Sequence, residues 1–389
     1  IRVLATAGAP TLPLDLTGLA VEDVDVGPRE EVGGVSYADG VLRLPLADAR
    51  PGDTVTVDVA WSGTPDDALQ LGPNLHGEPA PFADNWPNRA RFWFPSVDHP
   101  SDKATVRYTI HAPAAWDVVA NGHLAAPPRP TPAGAPGPGD GPRRTWVWAT
   151  DVAIPTYTMV LGAAEMEVRV LGRAACGAAP ASPEIDGCVE VSWWAFPPDT
   201  AHAARIFRRA VEMTDFYTGL IGPFPYEKLA HVQSSTRFGG MENASAIFYS
   251  GQALAAGTLS EGTVAHEIVH QWFGDAVTET SWSHLWLSEG FATYFASLFF
   301  EHADGVEVLR DRLEEERREI VASNVQNRPV VDRYANLYDL LNDNSYEKGG
   351  WVLHMLRGLL GDETFFRGIR TYYDRHRHGT VLTRDFRAV

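Results

Sequence analysis

Lysine is scarce in this chain. Lys103, Lys228 and Lys348 are the only three, so 29 of the 32 basic residues are arginine. Basic residues are in turn outnumbered by 50 acidic ones, leaving a net charge of −18 at pH 7. A surface that negative repels phosphate backbones and anionic lipid headgroups, which argues against a nucleic-acid or membrane-surface role. No apolar run reaches the roughly 18–20 residues that a membrane span needs, and the start shows no basic, apolar and small-residue succession of a signal peptide. Cysteine is limited to Cys176 and Cys188, in a Gly/Ala/Pro-rich loop. A thiolate metal site needs more ligands than these two, and no histidine lies near them in sequence. A disulfide closing a short ring is the favoured reading, and with it an oxidising, extracytoplasmic compartment, periplasmic or secreted.

What is present suffices for large cores. The chain has 389 residues, 44% of them hydrophobic and 11% aromatic, which excludes wholesale disorder and suits two to three domains of about 100–200 residues each. The first half alternates apolar and polar residues at period two, as in 42–46, 54–59 and 104–110, with Pro-Gly, Asp-Gly and Asn-Gly turn signals between. This predicts an antiparallel β-rich N-terminal domain, residues 1–196, entered so abruptly at Ile1 that a first strand or leader is expected to precede it. The Pro/Gly-rich stretch 125–144 is expected not to ladder and to form an exposed hairpin loop. From Asp199 the period becomes helical, with helices expected over about 199–219, 260–274, 287–301, 304–322, 345–360 and 363–376 and a strand near 229–234. Residues 197–389 thus read as a second, mostly helical domain.

The sharpest feature is His266-Glu267-Ile268-Val269-His270. Positions i and i+4 of a helix share a face, so both imidazoles can grip one cation, while Glu267, about 100° round, can hold a water without ligating. Two histidines packed on a core would give the same pattern. A hydrolytic zinc site wants a third protein ligand and one open position. Glu289 supplies it eighteen residues after His270, opening a helix of Trp, Leu, Phe and Ala where an unpaired carboxylate is costly. In isolation Glu289 also reads as a first-turn acid favoured by the helix dipole.

These residues resemble the zinc aminopeptidases related to aminopeptidase N, gluzincin metallopeptidases with a thermolysin-like catalytic domain. The likeness is carried by His266-Glu267-x-x-His270 with Glu289-Gly290-Phe291-Ala292, by Gly239-Gly240-Met241-Glu242-Asn243 upstream, by Tyr346-Glu347-Lys348-Gly349, and by Ala90-Arg91-Phe92-Trp93-Phe94-Pro95 in the first half. The resemblance implies one zinc ion per chain on His266, His270 and Glu289, Glu267 as general base and Tyr346 as oxyanion donor. It makes Glu242 the anchor for a substrate ammonium and Gly239, Gly240, Met241 and Asn243 the rest of the peptide-binding segment. The partners it implies are peptides with a free N-terminus.

The sequence also departs from the family. A Gln or Glu usually precedes the Ala-Arg pair as a second ammonium ligand; Trp86 stands there, with Asp84 and Asn85 near enough to be substitutes. Ala296 replaces a frequent glutamate seven residues beyond the third ligand. The family's helical C-terminal domain is absent from a chain that stops at Val389, which leaves a natural short form and a fragment as alternatives. An epoxide-hydrolysing branch of the family uses the same zinc site, and a non-catalytic interaction protein retaining the fold would be expected to have lost a ligand or Glu267. The aminopeptidase reading is the one adopted.

Overall fold

The computed structural model describes residues 2–4, 11–27, 34–46, 50, 52–135, 141–177 and 187–389. The period-two segments form strands as expected. In Val41–Pro45, Leu42 and Leu44 are fully buried while Arg43 between them is exposed, and they pack on Leu14, Val26 and Val57. That strand pairs antiparallel with Thr11–Asp15 and Ser36–Ala38, and Thr54–Ser62 pairs antiparallel with Ala20–Gly27. A third antiparallel sheet is built on Arg143–Ala149, flanked by Arg107–Pro113 and His123–Pro130.

His123–Pro130 corrects one expectation. Pro127, Pro128 and Pro130 lie in a strand that does ladder, with Ala126 opposite Val147, Arg129 opposite Thr145 and Pro130 opposite Arg144. The strand sits at the sheet edge and its register shifts between Leu124 and Ala126 and again before Arg129, which are the positions where missing N–H donors are tolerated. Residues 136–140 of the stretch lie outside the described residues.

The boundary at 196 marks where helices begin, but a sheet crosses it. Glu167–Ala174 and Val189–Ala195 continue into Lys228–Ser234, Ala246–Ser250 and Gly240–Met241 to make one five-stranded sheet. Lys228–Ser234 is central, parallel to both neighbours and buried along its whole length. The edge pair Gly240–Met241 runs antiparallel to Ala246–Ser250. Cys176 and Cys188, which lie in sequence between the first two strands of this sheet, are disulfide-bonded.

Helices pack on this sheet. The run expected over 199–219 is two helices, Thr200–Ile206 and Ala210–Leu220, joined by a 3-10 turn. Beyond it come Glu261–His270, Trp286–Asp304, Val306–Ala322, Glu347–Leu360 and Asp362–His376. Among the described residues no helix is long and apolar enough to cross a membrane.

Candidate metal centre

Helix Glu261–His270 starts where Ser260 Oγ accepts the N–H of Thr263 at 2.9 Å, satisfying one of the free donors of its first turn. Val264, Ala265, Ile268 and Val269 are fully buried, so the helix is locked by packing and its histidines are held in place. The helix ends at His270, short of the expected 274, because Gly274 turns the chain back at φ +119°. No other residue fits there: a Cβ on Gly274 would run into Ser288 Oγ and come within 3.0 Å of His270 Nδ1.

Three ligand atoms converge. His266 Nε2 and His270 Nε2 are 3.0 Å apart, and each lies 3.2 Å from Glu289 Oε2. A tetrahedral cation about 2.0–2.1 Å from each donor would span edges of about 3.3 Å, so the triangle fits a zinc-sized ion. The protonation pattern fits as well. His270 Nδ1 sits 3.0 Å from the Phe273 carbonyl and donates to it, leaving the Nε2 lone pair facing the triangle, with Ser288 Oγ 3.1 Å behind.

The electrostatics favour a cation. Burial and the neighbouring Glu242 and Glu289 push Glu267 well above the ordinary carboxylate range. Burial, reinforced by Glu289 and opposed by His270, pushes Glu242 up to about 7. Burial works against a charged His270, but Glu289, Glu242 and Glu267 together hold its imidazole well above the usual value. Glu289 is itself buried, yet His270 and His266 bring it down to about 2. Crowded carboxylates of this kind are what a divalent ion relieves.

The centre opens on a cleft of about 560 Å³ lined by Gly239, Gly240, Met241, Glu242, His266, Glu267, His270, Glu289 and Tyr346. Tyr346, the residue before helix Glu347–Leu360, stacks on His266 with ring centroids 5.9 Å apart and a 12° interplanar angle, and its hydroxyl bonds Glu289. Gly240 serves a purpose the sequence did not disclose. A Cβ built on it would sit inside the Glu267 carboxyl group, 2.6 Å from Cγ, so the bare backbone is the floor on which Glu267 rests. Gly239 has open space around it and remains free to approach a ligand.

Two expected site residues are placed elsewhere. Asp84 is 1% exposed and does not line the cleft; its carboxylate is held by Arg89 Nη2 at 2.7 Å and Arg237 Nε at 3.7 Å, which braces the segment leading into Gly239. The carboxylate is engaged in that pairing. Asn243 is fully buried and also absent from the cleft wall. Trp86 does line the cleft, edge-on to Phe238, Trp282 and Tyr338. Ala296 is in the wall too, and the polar groups nearby come instead from helix Val306–Ala322, as Arg312, Glu315, Glu316 and Glu319.

Further residues were missed because they act across long sequence separations. Tyr157 lies near enough to Glu242 to favour its charged form. Gln271 accepts from the Ser245 N–H at 2.7 Å and donates to the Glu242 carbonyl at 3.0 Å, tying the Gly239–Asn243 segment to the metal helix.

Residues 207–389 match the peptidase family M1 domain. The match takes in the helical half of the chain, just under half of its length. Among curated relatives the chain is 26% identical over 395 residues to aminopeptidase N of Streptomyces lividans, covering 96% of this chain and 43% of that protein. It is 33% identical over 221 residues to endoplasmic reticulum aminopeptidase 1 of Rattus norvegicus, covering 51% of this chain and 23% of the relative. The chain thus spans less than half the length of either. The M1 zinc metallopeptidase from Deinococcus radiodurans superposes with a TM-score of 0.79 at 23% identity, over 99% of this chain and 82% of that one, and so shares the fold from the β-rich half through the helices.

Proposed function

We propose that the protein is a zinc-dependent aminopeptidase that removes N-terminal residues from peptides. The observation that carries this reading is the convergence of His266, His270 and Glu289 within 3.0–3.2 Å, with Glu267 and Glu242 on the same cleft. Names of relatives such as aminopeptidase N support it. A zinc ion on those three residues supplies a Lewis acid for the scissile carbonyl and lowers the pKa of a water toward neutrality.

The remaining work falls to side chains. Glu267 is no ligand of the triangle; buried and basic, it takes the proton of the attacking water and passes it to the leaving amine. Tyr346, kept neutral because burial and nearby Glu289 raise its phenol well above 10, donates a hydrogen bond to the oxyanion as charge develops. Glu242, steadied by Tyr157, receives the substrate ammonium, which is why termini are trimmed and chains are not cut internally. Gly239 leaves main chain open for the peptide backbone. The Cys176–Cys188 bond supports an oxidising, extracytoplasmic location.

The test is a panel of aminoacyl-anilides beside their N-acetylated counterparts. Acetylation removes the charge that Glu242 pairs with, so kcat/KM is expected to fall about 10–100-fold, the equivalent of one charge-assisted hydrogen bond. Equal cleavage of both sets overturns the exopeptidase reading. In parallel, Glu267→Gln is expected to keep its zinc and lose about 10²–10⁴-fold in turnover; an active, zinc-loaded variant removes the general-base assignment.

A further inference from the structure

A second set of ligand-type side chains lies outside the cleft. His123 opens the edge strand His123–Pro130, Asp151 lies in the turn after Arg143–Ala149, and Glu227 immediately precedes the central strand Lys228–Ser234. Each offers one ligand atom, and the three atoms lie within 4.8 Å of one another; His123 Nδ1 and Asp151 Oδ2 are 3.6 Å apart. None of the three lines the catalytic cleft.

Two features separate this cluster from a chance meeting of surface charges. Glu227 is 3% exposed, and although its Oε1 accepts the Asp151 N–H, its Oε2 is buried with no hydrogen-bond partner among the described residues. An unsatisfied carboxylate oxygen at that depth costs stability unless a cation or donor meets it. The cluster is also held together by a separate scaffold. Lys228 Nζ donates to the carbonyls of Ala120 and Gly122 at 2.6 and 2.7 Å and stands 4.7 Å over the Trp148 ring, which draws the turn before His123 against the residue after Glu227. That lysine is fully committed, leaving the Glu227 carboxylate beside His123 and Asp151. Both of these are partly exposed, at 29% and 53% of their side chains, so an ion has a way in.

We infer that His123, Asp151 and Glu227 form a second divalent-cation site, structural and not catalytic, joining the β-rich half to the residue just before the central strand of the five-stranded sheet. One imidazole with two carboxylates favours a zinc-class ion over magnesium or calcium, which prefer oxygen ligands alone. Bound there, the ion pins the turn around Asp151, six residues ahead of Tyr157. It does not depend on the aminopeptidase reading.

The probe is Zn2+ titrated into metal-stripped full-length protein, with zinc per chain measured at buffered free concentrations. Wild type is expected to take up two ions, Asp151→Asn one, and the His266→Ala/His270→Ala double variant one. Adding His123→Ala to that double variant is expected to weaken the remaining ion at least about tenfold, and Zn2+ is expected to raise the melting midpoint of the double variant but not of the triple. The proposal is overturned if wild type binds a single ion, or if Asp151→Asn and His123→Ala leave the second ion's affinity unchanged, which would mark adventitious surface binding. Should the double variant fail to fold, the comparison of wild type with Asp151→Asn, a change at a half-exposed side chain, decides alone.

Discussion

At the scale of single residues, the cleft depends on groups chosen for what they lack. Gly240 has no side chain because Glu267 occupies the place where one would be. Gly240→Ala is therefore expected to displace Glu267, the proposed general base, by roughly an ångström, lowering kcat by about 10²-fold while zinc content stays at the wild-type value. Loss of zinc together with activity would instead mean that the whole helix had shifted. The sequence showed the two histidines, Glu267 and Glu289 because a helix makes i, i+4 spacing a statement about faces. It could not show Asp84 being claimed by Arg89 and Arg237, or Tyr157 reaching Glu242, since those partners meet only after distant strands have folded.

At the scale of elements, one helix crossing places two functional groups at once. Helices Trp286–Asp304 and Glu347–Leu360 meet backbone to backbone: a Cβ on Gly290 would come 2.7 Å from Gly349 Cα and 3.1 Å from Gly350 N, and one on Gly349 would lie 2.9 Å from Gly290 Cα. Glu289 immediately precedes the first glycine, and Tyr346 stands just before the second helix, three residues ahead of Gly349. The glycine contact thus sets the distance between Glu289 and Tyr346, the proposed third ligand and oxyanion donor. Gly290→Ala is expected to cost about 1–3 kcal/mol of stability through overpacking and to depress activity through both groups, checked by denaturant unfolding and by zinc affinity. Unchanged stability would show that the helices part freely. Helix existence was legible from 3.6-residue periodicity, and strands from alternation. The proline-rich edge strand was not, because edge position, which excuses missing donors, is a property of the sheet and not of the segment.

At the scale of the whole molecule, the charge of −18 surrounds a cleft that is itself acidic, with Glu315, Glu316, Glu319 and Glu347 in its walls beside Glu242. Such a field concentrates cationic substrates near the opening and is screened within about 8–10 Å at ordinary salt. The five-stranded sheet has another consequence, for how the protein can be cut. The M1 match begins at residue 207 and the helices at about 200, yet two of the sheet's strands, Glu167–Ala174 and Val189–Ala195, lie upstream of both. A polypeptide started at residue 197 would uncover one long side of Lys228–Ser234, a strand buried throughout, and offer its unpaired N–H and C=O groups to any passing chain. Such a fragment is expected to aggregate on expression or refolding, a soluble monomer with a cooperative melt being the contrary result. Limited proteolysis of the intact chain should then release no stable helical core beginning between residues 197 and 207: the two halves are stitched by main-chain hydrogen bonds and are expected to unfold together.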